Sequence, residues 1–311
     1  MAQKDLIEKI RRLKNEKNAV ILAHNYQRPE IFGVADFIGD SYGLSKKAIE
    51  TNADFIVFCG VNFMAESAYI LNPEKTVLIP TKLAKCPMAA MVDVSSLREL
   101  EAQYPDAAVV SYVNTTADIK AESDVCCTSS NAVKVVNSLE ENEVIFVPDA
   151  NLAKYVMKHS DKRIIPWKGW CYVHNKFTPA GLIQARKLHP NAKVLVHPEC
   201  TLNVIDLADE VCSTTGMINS VKNSQAKKFI IATEVGLIER LRLEMPEKVF
   251  YQAPPGGTCL QMKKNNLRLV LDALEKEQFK VTVPENVRVR ARKALDRMLD
   301  VDLRLEPAQT G

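Results

Sequence analysis

The chain has eight cysteines but no Cys-x-x-Cys pair, so the local signatures of zinc ribbons, thioredoxin-type redox sites and two-cluster ferredoxins are missing. It has no long basic block either. Forty-one Lys and Arg against 38 Asp and Glu leave a net charge of +3 spread along the sequence, which argues against nucleic acid as the main partner. Long apolar runs are also lacking: the most apolar stretch, residues 55–71, is interrupted by Asn62 and Glu66 and does not read as a membrane span. No leader-like segment precedes the first amphipathic pattern, in which Leu6, Ile7, Ile10 and Leu13 share a helix face. The expectation is a cytoplasmic protein without a signal peptide, membrane association or nucleic-acid partner.

A cytosolic location leaves the cysteines without a disulfide role, because that compartment keeps thiols reduced. Cys59, Cys126 and Cys212 read as small buried hydrophobes. Cys127 and Cys200 stand nearer polar motifs and receive no assignment.

What the chain does have is an internal repeat. The apolar run Val20-Ile21-Leu22-Ala23 ends in His24-Asn25-Tyr26, Val109-Val110-Ser111 ends in Tyr112-Val113-Asn114, and Val194-Leu195-Val196 ends in His197-Pro198-Glu199-Cys200-Thr201. His24 to Tyr112 spans 88 residues and Tyr112 to His197 spans 85, and the same two offsets relate Tyr26, Asn114 and Glu199, and also Ser41, Ser129 and Thr214. Strand-like runs at 56–58, 144–146 and 229–231 keep that register. For Cys86, Cys171 and Cys259 the offsets reverse to 85 and 88, as a three-residue length change in the middle copy between Ser129 and Cys171 requires.

Three α/β units of about 85 residues follow, each with strands alternating with helices and hence a parallel sheet flanked by helices. The predicted division is an N-terminal helix over 1–17, repeats over 18–104, 105–190 and 191–280, and a C-terminal helix and tail over 281–311, frayed from 306. Each repeat is read with a first strand, a Ser/Thr-bearing turn opening a helix, a second strand, a second helix region and a third strand at 76–80, 162–166 and 248–251. No long linker separates the units, so they are expected to pack around a common pseudo-threefold axis, with the active site at their central junction.

Ligands of parallel α/β sheets bind beyond the carboxyl ends of the strands, and the motif residues all occupy such ends. Convergence of the repeats would bring Cys86, Cys171 and Cys259 to one centre. Three thiolates suit zinc with a fourth ligand, for which His174 is available, or an iron–sulfur cluster with one iron open as a Lewis acid. Helix N-termini bearing Ser41, Ser129 and Thr214 would receive phosphate or carboxylate, although each residue alone would read as a helix cap. Glu199 is the best general acid/base candidate. Tyr26 and Tyr112 either donate protons and hold a substrate oxygen or stand as amphipathic residues at a core edge. A zinc-dependent hydrolase and an iron–sulfur sensor for a small anion are the competing functions; for the sensor, the chain shows neither a basic recognition helix nor an appended domain.

Ala23-His24-Asn25-Tyr26-Gln27, Ile38-Gly39-Asp40-Ser41, Phe63-Met64-Ala65-Glu66, Tyr112-Val113-Asn114, Gly169-Trp170-Cys171-Tyr172-Val173-His174 and His197-Pro198-Glu199-Cys200 together resemble quinolinate synthase over nearly the whole chain. That resemblance implies an enzyme of de novo NAD (pyridine nucleotide) biosynthesis that condenses iminoaspartate with dihydroxyacetone phosphate to quinolinate, phosphate and water. It implies a 4Fe-4S cofactor held by Cys86, Cys171 and Cys259 with one open iron, and three similar α/β domains around a central site. By the same resemblance His24, Tyr26, Ser41, Tyr112, Asn114, Ser129, His174, His197, Glu199, Ser213 and Thr214 fall on active-site positions, with Glu199, Tyr26, His197 and Tyr112 in catalytic roles. The implied partners are small molecules, with a functional link to an enzyme that makes iminoaspartate. The adjacent Cys126-Cys127 pair beside the second Ser/Thr turn is expected to invite oxidation.

Overall fold

Among the described residues, twelve strands form three separate four-stranded sheets, every pairing within them parallel. The computed structural model describes residues 3–305; the tail expected to fray from 306 lies outside the described residues. In the first sheet β1 (Ala19–His24), β2 (Phe37–Gly39), β3 (Phe55–Cys59) and β4 (Thr76–Leu78) lie in the order β2-β1-β3-β4. The second sheet repeats this order with β5 (Ala108–Tyr112), β6 (Val125–Cys127), β7 (Glu143–Val147) and β8 (Arg163–Pro166), and the third with β9 (Lys193–Val196), β10 (Glu210–Val211), β11 (Lys228–Ala232) and β12 (Val249–Gln252).

The two central strands of each sheet are apolar because both faces are covered. Successive side chains enter opposite cores: Val20 and Leu22 join the large cluster shared with the second repeat, whereas Ile21 and Ala23 join a cluster under the outer helices. Val109 and Val110, and likewise Val194 and Leu195, divide in the same way. The outer layer of the first sheet comes from both ends of the chain, since Ile10 of the Gln3–Glu16 helix packs with Leu267, Val270, Leu271 and Leu274 of the Leu267–Lys276 helix. The Glu285–Leu305 helix buries Ala291, Ala294, Leu295 and Met298 in the large cluster, and its Arg292 donates to the Leu71 carbonyl in the first repeat at 2.8 Å while Arg297 donates to the Asp124 carbonyl in the second at 3.1 Å.

Two features depart from the expected pattern. Each repeat has a fourth strand, β2, β6 or β10, in a stretch expected to be a turn; these edge strands are two or three residues long and too short for a periodic signal, yet they begin 88 and 85 residues apart. The second Ser/Thr turn does not place Ser129 at a helix start. Asn131 accepts hydrogen bonds from the Thr128 N–H at 2.7 Å and hydroxyl at 3.0 Å, closing a turn, so the helix runs only Ala132–Asn137. In the other repeats Ser41 and Thr214 are first helical residues, behind the capping residues Asp40 and Ser213.

The three-residue difference in the middle copy is divided. Phe55 to Thr76 and Lys228 to Val249 each span 21 residues against 20 for Glu143 to Arg163; Thr76 to Cys86 and Val249 to Cys259 each span 10 against 8 for Arg163 to Cys171. The outer edge of β4 is covered by a segment not anticipated as strand: Phe279 exchanges backbone hydrogen bonds with Ile79 at 3.0 and 3.1 Å, and Val281 donates to Val77 at 2.9 Å.

Candidate active site

In the strand order 2-1-3-4 the chain reverses direction beside the first strand, and the crevice beyond the carboxyl ends there is the natural ligand site. In this molecule all three such crevices open into one cavity. His24, Tyr26 and Ser41 reach it from the first repeat, Tyr112, Asn114, Ser129 and His174 from the second, and His197, Glu199 and Thr214 from the third. Cys86, Cys171 and Cys259, each partly buried, line it as well. Ser213 alone among the expected site residues does not; it caps the Thr214–Asn223 helix by accepting from Gly216 N–H at 3.2 Å and lines a neighbouring cleft.

A continuous hydrogen-bonded path crosses the cavity wall. The Tyr26 hydroxyl lies 2.8 Å from Thr233 Oγ1, and Thr233 Oγ1 lies 2.8 Å from His174 Nε2. On the other side of the ring His174 Nδ1 is 2.5 Å from Glu199 Oε2, and the Tyr112 hydroxyl is hydrogen-bonded to Glu199. Burial pushes the Tyr26 and Tyr112 phenols far above their usual range, with the Glu199 charge adding to it, so both are proton donors. Burial pushes Glu199 upward too, but His174, His197 and Tyr112 outweigh it and hold the carboxyl below its ordinary range. Glu199 Oε1 is buried with no partner, as is Asn114 Oδ1. Two unsatisfied acceptors are thus held at one cavity, where each costs free energy until a donor or cation reaches it.

His24 and His197 are built alike. Nδ1 of His24 accepts the backbone N–H of Tyr26 at 3.1 Å, and Nδ1 of His197 accepts that of Glu199 at 3.3 Å. Burial lowers both rings to about 3, helped for His197 by the neighbouring His174. Each ring is therefore neutral with its proton on Nε2, a hydrogen-bond donor rather than a cation. His197 also stacks on His174 with centroids 4.3 Å apart. Thr214 Oγ1 accepts from the Asn25 amide at 2.7 Å, and Arg240 holds the other end of that amide, so the Thr214 hydroxyl proton is free to point elsewhere.

Several of these residues escaped the sequence reading. Thr233, Asn25 and Arg240 act through tertiary contacts that no local pattern encodes. Asp149 and Glu234 did carry a signal: they stand 85 residues apart, the interval separating Tyr112 from His197. Asp149 accepts from the N–H groups of Asn151 and Leu152, both at 2.8 Å, and of Cys171 at 3.2 Å; Glu234 accepts from Gly236 N–H at 2.7 Å and Cys259 N–H at 2.9 Å. Backbone approach beside Cys171 is so close that a Cβ on Gly169 would lie 2.4 Å from the Pro148 carbonyl oxygen. The Cys126-Cys127 pair, expected to invite oxidation, is fully buried, and burial raises both thiols; Cys212, expected to be buried, is partly buried and packs against the core of the third repeat.

Residues 8–300 match the family model described as quinolinate synthetase A protein, NadA. The chain belongs to the quinolinate synthase family. Quinolinate synthase 1 of Methanosarcina acetivorans is 55% identical over 304 residues, 98% of this chain and 100% of that one. The quinolinate synthase of Methanosarcina barkeri is likewise 55% identical over 304 residues, with the same coverage. That of Alkaliphilus metalliredigens is 51% identical over 302 residues, 97% of this chain and 100% of that one. Among the described residues no helix is long and apolar enough to cross a membrane.

The three cysteines that line the cavity do not form a compact single-ion site. Among the described residues only Cys171, His174 and Glu199 bring three ligand-type atoms within 4.8 Å of one another. A tetrahedral zinc with bonds of about 2.3 Å draws its sulfurs closer together than that limit, so the three cysteines stand too far apart to share one ion. The compact trio is accounted for by hydrogen bonding, since His174 Nδ1 faces both Glu199 and, at 3.2 Å, Cys171 Sγ. Burial raises the thiols of Cys86, Cys171 and Cys259, Cys86 to about 12.

Proposed function

We propose that this chain condenses iminoaspartate with dihydroxyacetone phosphate to quinolinate, releasing phosphate and water, in de novo NAD biosynthesis in the cytoplasm, a transferase-type condensation with loss of water. The reading extends to three homologous repeats, over 18–104, 105–190 and 191–280, related by a pseudo-threefold axis. Cys86, Cys171 and Cys259 would hold a 4Fe-4S cluster, which supplies a Lewis acid through the iron that no cysteine ligates.

The observation that carries this reading is the path Tyr26–Thr233–His174–Glu199–Tyr112 running along a cavity that the three cysteines also line. Two acidic substrates and a ring closure with several proton transfers call for donors around the rim and one base at the centre. Neutral His24 and His197 donate N–H groups to substrate carboxylates. Ser41, Ser129 and Thr214 offer hydroxyl groups to the phosphate, two of them at helix N-termini. Asn114 Oδ1 accepts the imine N–H. Glu199 removes the proton from the carbon that forms the new bond, and the phenols of Tyr26 and Tyr112 return protons to departing oxygens. Ser213 acts on Thr214 through the helix cap. Iminoaspartate links the enzyme functionally to one that oxidises an amino acid to that imine.

Protein purified without oxygen should contain about four iron and four acid-labile sulfide per chain and form quinolinate from the two substrates. Replacing any one of Cys86, Cys171 and Cys259 by Ala should lose both metal and activity. Active protein holding zinc, or no metal, would refute the cluster reading.

A further inference from the structure

The three cysteine loops share a property that the chemistry inside the cavity does not use. Segments 81–92, 166–178 and 253–266 contain Lys82, Lys85, Lys168, Lys176, Lys263 and Lys264 and not one Asp or Glu. Lys263 turns inward to Glu234 and to the Tyr26 carbonyl; the other five are exposed. Each loop also exposes one large apolar side chain: Leu83 at 68%, Trp170 at 45% and Leu260 at 66%. The loops are joined into one surface by hydrogen bonds between them. Lys264 Nζ donates to the Leu83 carbonyl at 2.9 Å, Lys85 N–H to Gln261 at 3.3 Å, and Leu260 N–H to the Tyr172 hydroxyl at 2.8 Å.

Building on the cluster reading above, we propose that this outer face of the three cysteine loops is the docking surface for an acidic protein that delivers the iron–sulfur cluster. The apolar side chains, an aromatic among them, supply the dry centre of an interface, and the lysines supply a cationic rim that steers a partner of opposite charge. The same loops carry the three partly buried cysteines, so a partner docked on them meets the residues that would receive the cargo. The cluster passes without change of oxidation state. Every bond between the cluster's irons and the donor's ligands breaks and three iron–sulfur bonds to Cys86, Cys171 and Cys259 form, while the three protons displaced from these thiols go to freed donor thiolates.

The test uses the full-length apo-protein and, as probe, a purified acidic iron–sulfur carrier protein loaded with one 4Fe-4S cluster. Transfer is followed by visible circular dichroism and by iron per chain, and compared with loading from ferrous ion plus sulfide. The charge-reversed variant K85E/K168E/K176E should accept the cluster from the carrier about tenfold or more slowly than wild type, and added salt should slow the wild type as well. L83S/W170S/L260S should lose transfer in the same way, with loading from the ions unchanged in both variants. Equal transfer rates in wild type and variants would overturn the proposal, as would an equal fall in loading from both sources, which would place these residues in the cysteine site itself. A wild-type dimer that the substitutions dissolve without affecting transfer would assign the face to a second copy of the chain instead. If wild type and variants alike take up no iron from either source, the cluster reading itself fails, and docking with it.

Discussion

Asp149 and Glu234 hold the same post in successive repeats: each caps the helix that follows the third strand, β7 or β11, and accepts the backbone N–H of a cysteine in the cavity wall, Cys171 at 3.2 Å and Cys259 at 2.9 Å. Both side chains are fully buried. The first repeat has Val61 at this position, and there Asn62 N–H donates to the Ala84 carbonyl at 2.8 Å instead. Two cysteine loops are therefore tied to carboxylates and the third to backbone.

Asp149→Asn tests that tie. The amide oxygen can still cap the helix, but its NH₂ now confronts the N–H of Cys171, leaving a buried donor unpaired at a cost of about 1–3 kcal/mol. Chemical denaturation of the metal-free protein should register this loss, and iron retention after gel filtration should fall below wild type. Unchanged stability and iron content would show that the loop does not depend on the carboxylate.

The path from Tyr26 to Tyr112 predicts two kinetic phenotypes. Glu199→Gln keeps the volume but removes the base, and turnover should fall by roughly 10²- to 10⁴-fold, the range for a general acid/base group, with iron per chain unchanged. Thr233→Val removes the hydroxyl that bridges Tyr26 and His174 and leaves only their longer direct contact of 3.4 Å; kcat should fall while KM changes little, and Thr233→Ser should restore it. A Thr233→Val enzyme at wild-type rate would leave Tyr26 acting without the relay.

Legibility of the chain followed burial. The central strands were readable because Val20-Ile21-Leu22-Ala23 and its counterparts are covered on both faces and so are apolar throughout. Edge strands such as Phe37–Gly39 pair on one side only and are too short to show a period. His24, Tyr112 and His197 were visible as chemically capable residues at the ends of apolar runs. Thr233 was not, because its neighbours Ala232 and Glu234 give no hint that Tyr26 and His174 meet its hydroxyl. Ser129 misled for a local reason: the Asn131 side chain closes the turn that was expected to begin a helix.

Lys120 is fully buried and, among the described residues, has no carboxylate partner. Its ammonium donates to the carbonyls of Val113, at 2.8 Å, and Thr115, bracketing Asn114, and lies 5.4 Å from the centre of the Phe63 ring. Lys120→Met would leave both carbonyls unsatisfied, and a loss of about 2–4 kcal/mol is expected from two buried acceptors. Because Asn114 and Phe63 line the cavity, KM should rise more than kcat falls. A variant with unaltered stability and KM would free the Asn114 turn from dependence on Lys120.

Glu122 ties the second repeat to its neighbours. It accepts from Arg98 at 2.9 and 3.1 Å and pairs with Arg290 of the C-terminal helix at 3.0 Å. Burial raises its carboxyl, but the two arginines outweigh burial and leave it below its ordinary value of 4.5. A carboxyl depressed on folding contributes stability above its unfolded pKa, and that contribution fades as pH falls through the lower folded value. Glu122→Gln should therefore cost stability at pH 7, by about 1 kcal/mol because both arginines are largely exposed and screened. The gap between variant and wild type should narrow only below about pH 4.5. Denaturation midpoints measured from pH 7 to pH 3.5 decide the matter: a constant gap would mean that packing, and not the ionised carboxylate, holds the C-terminal helix in place.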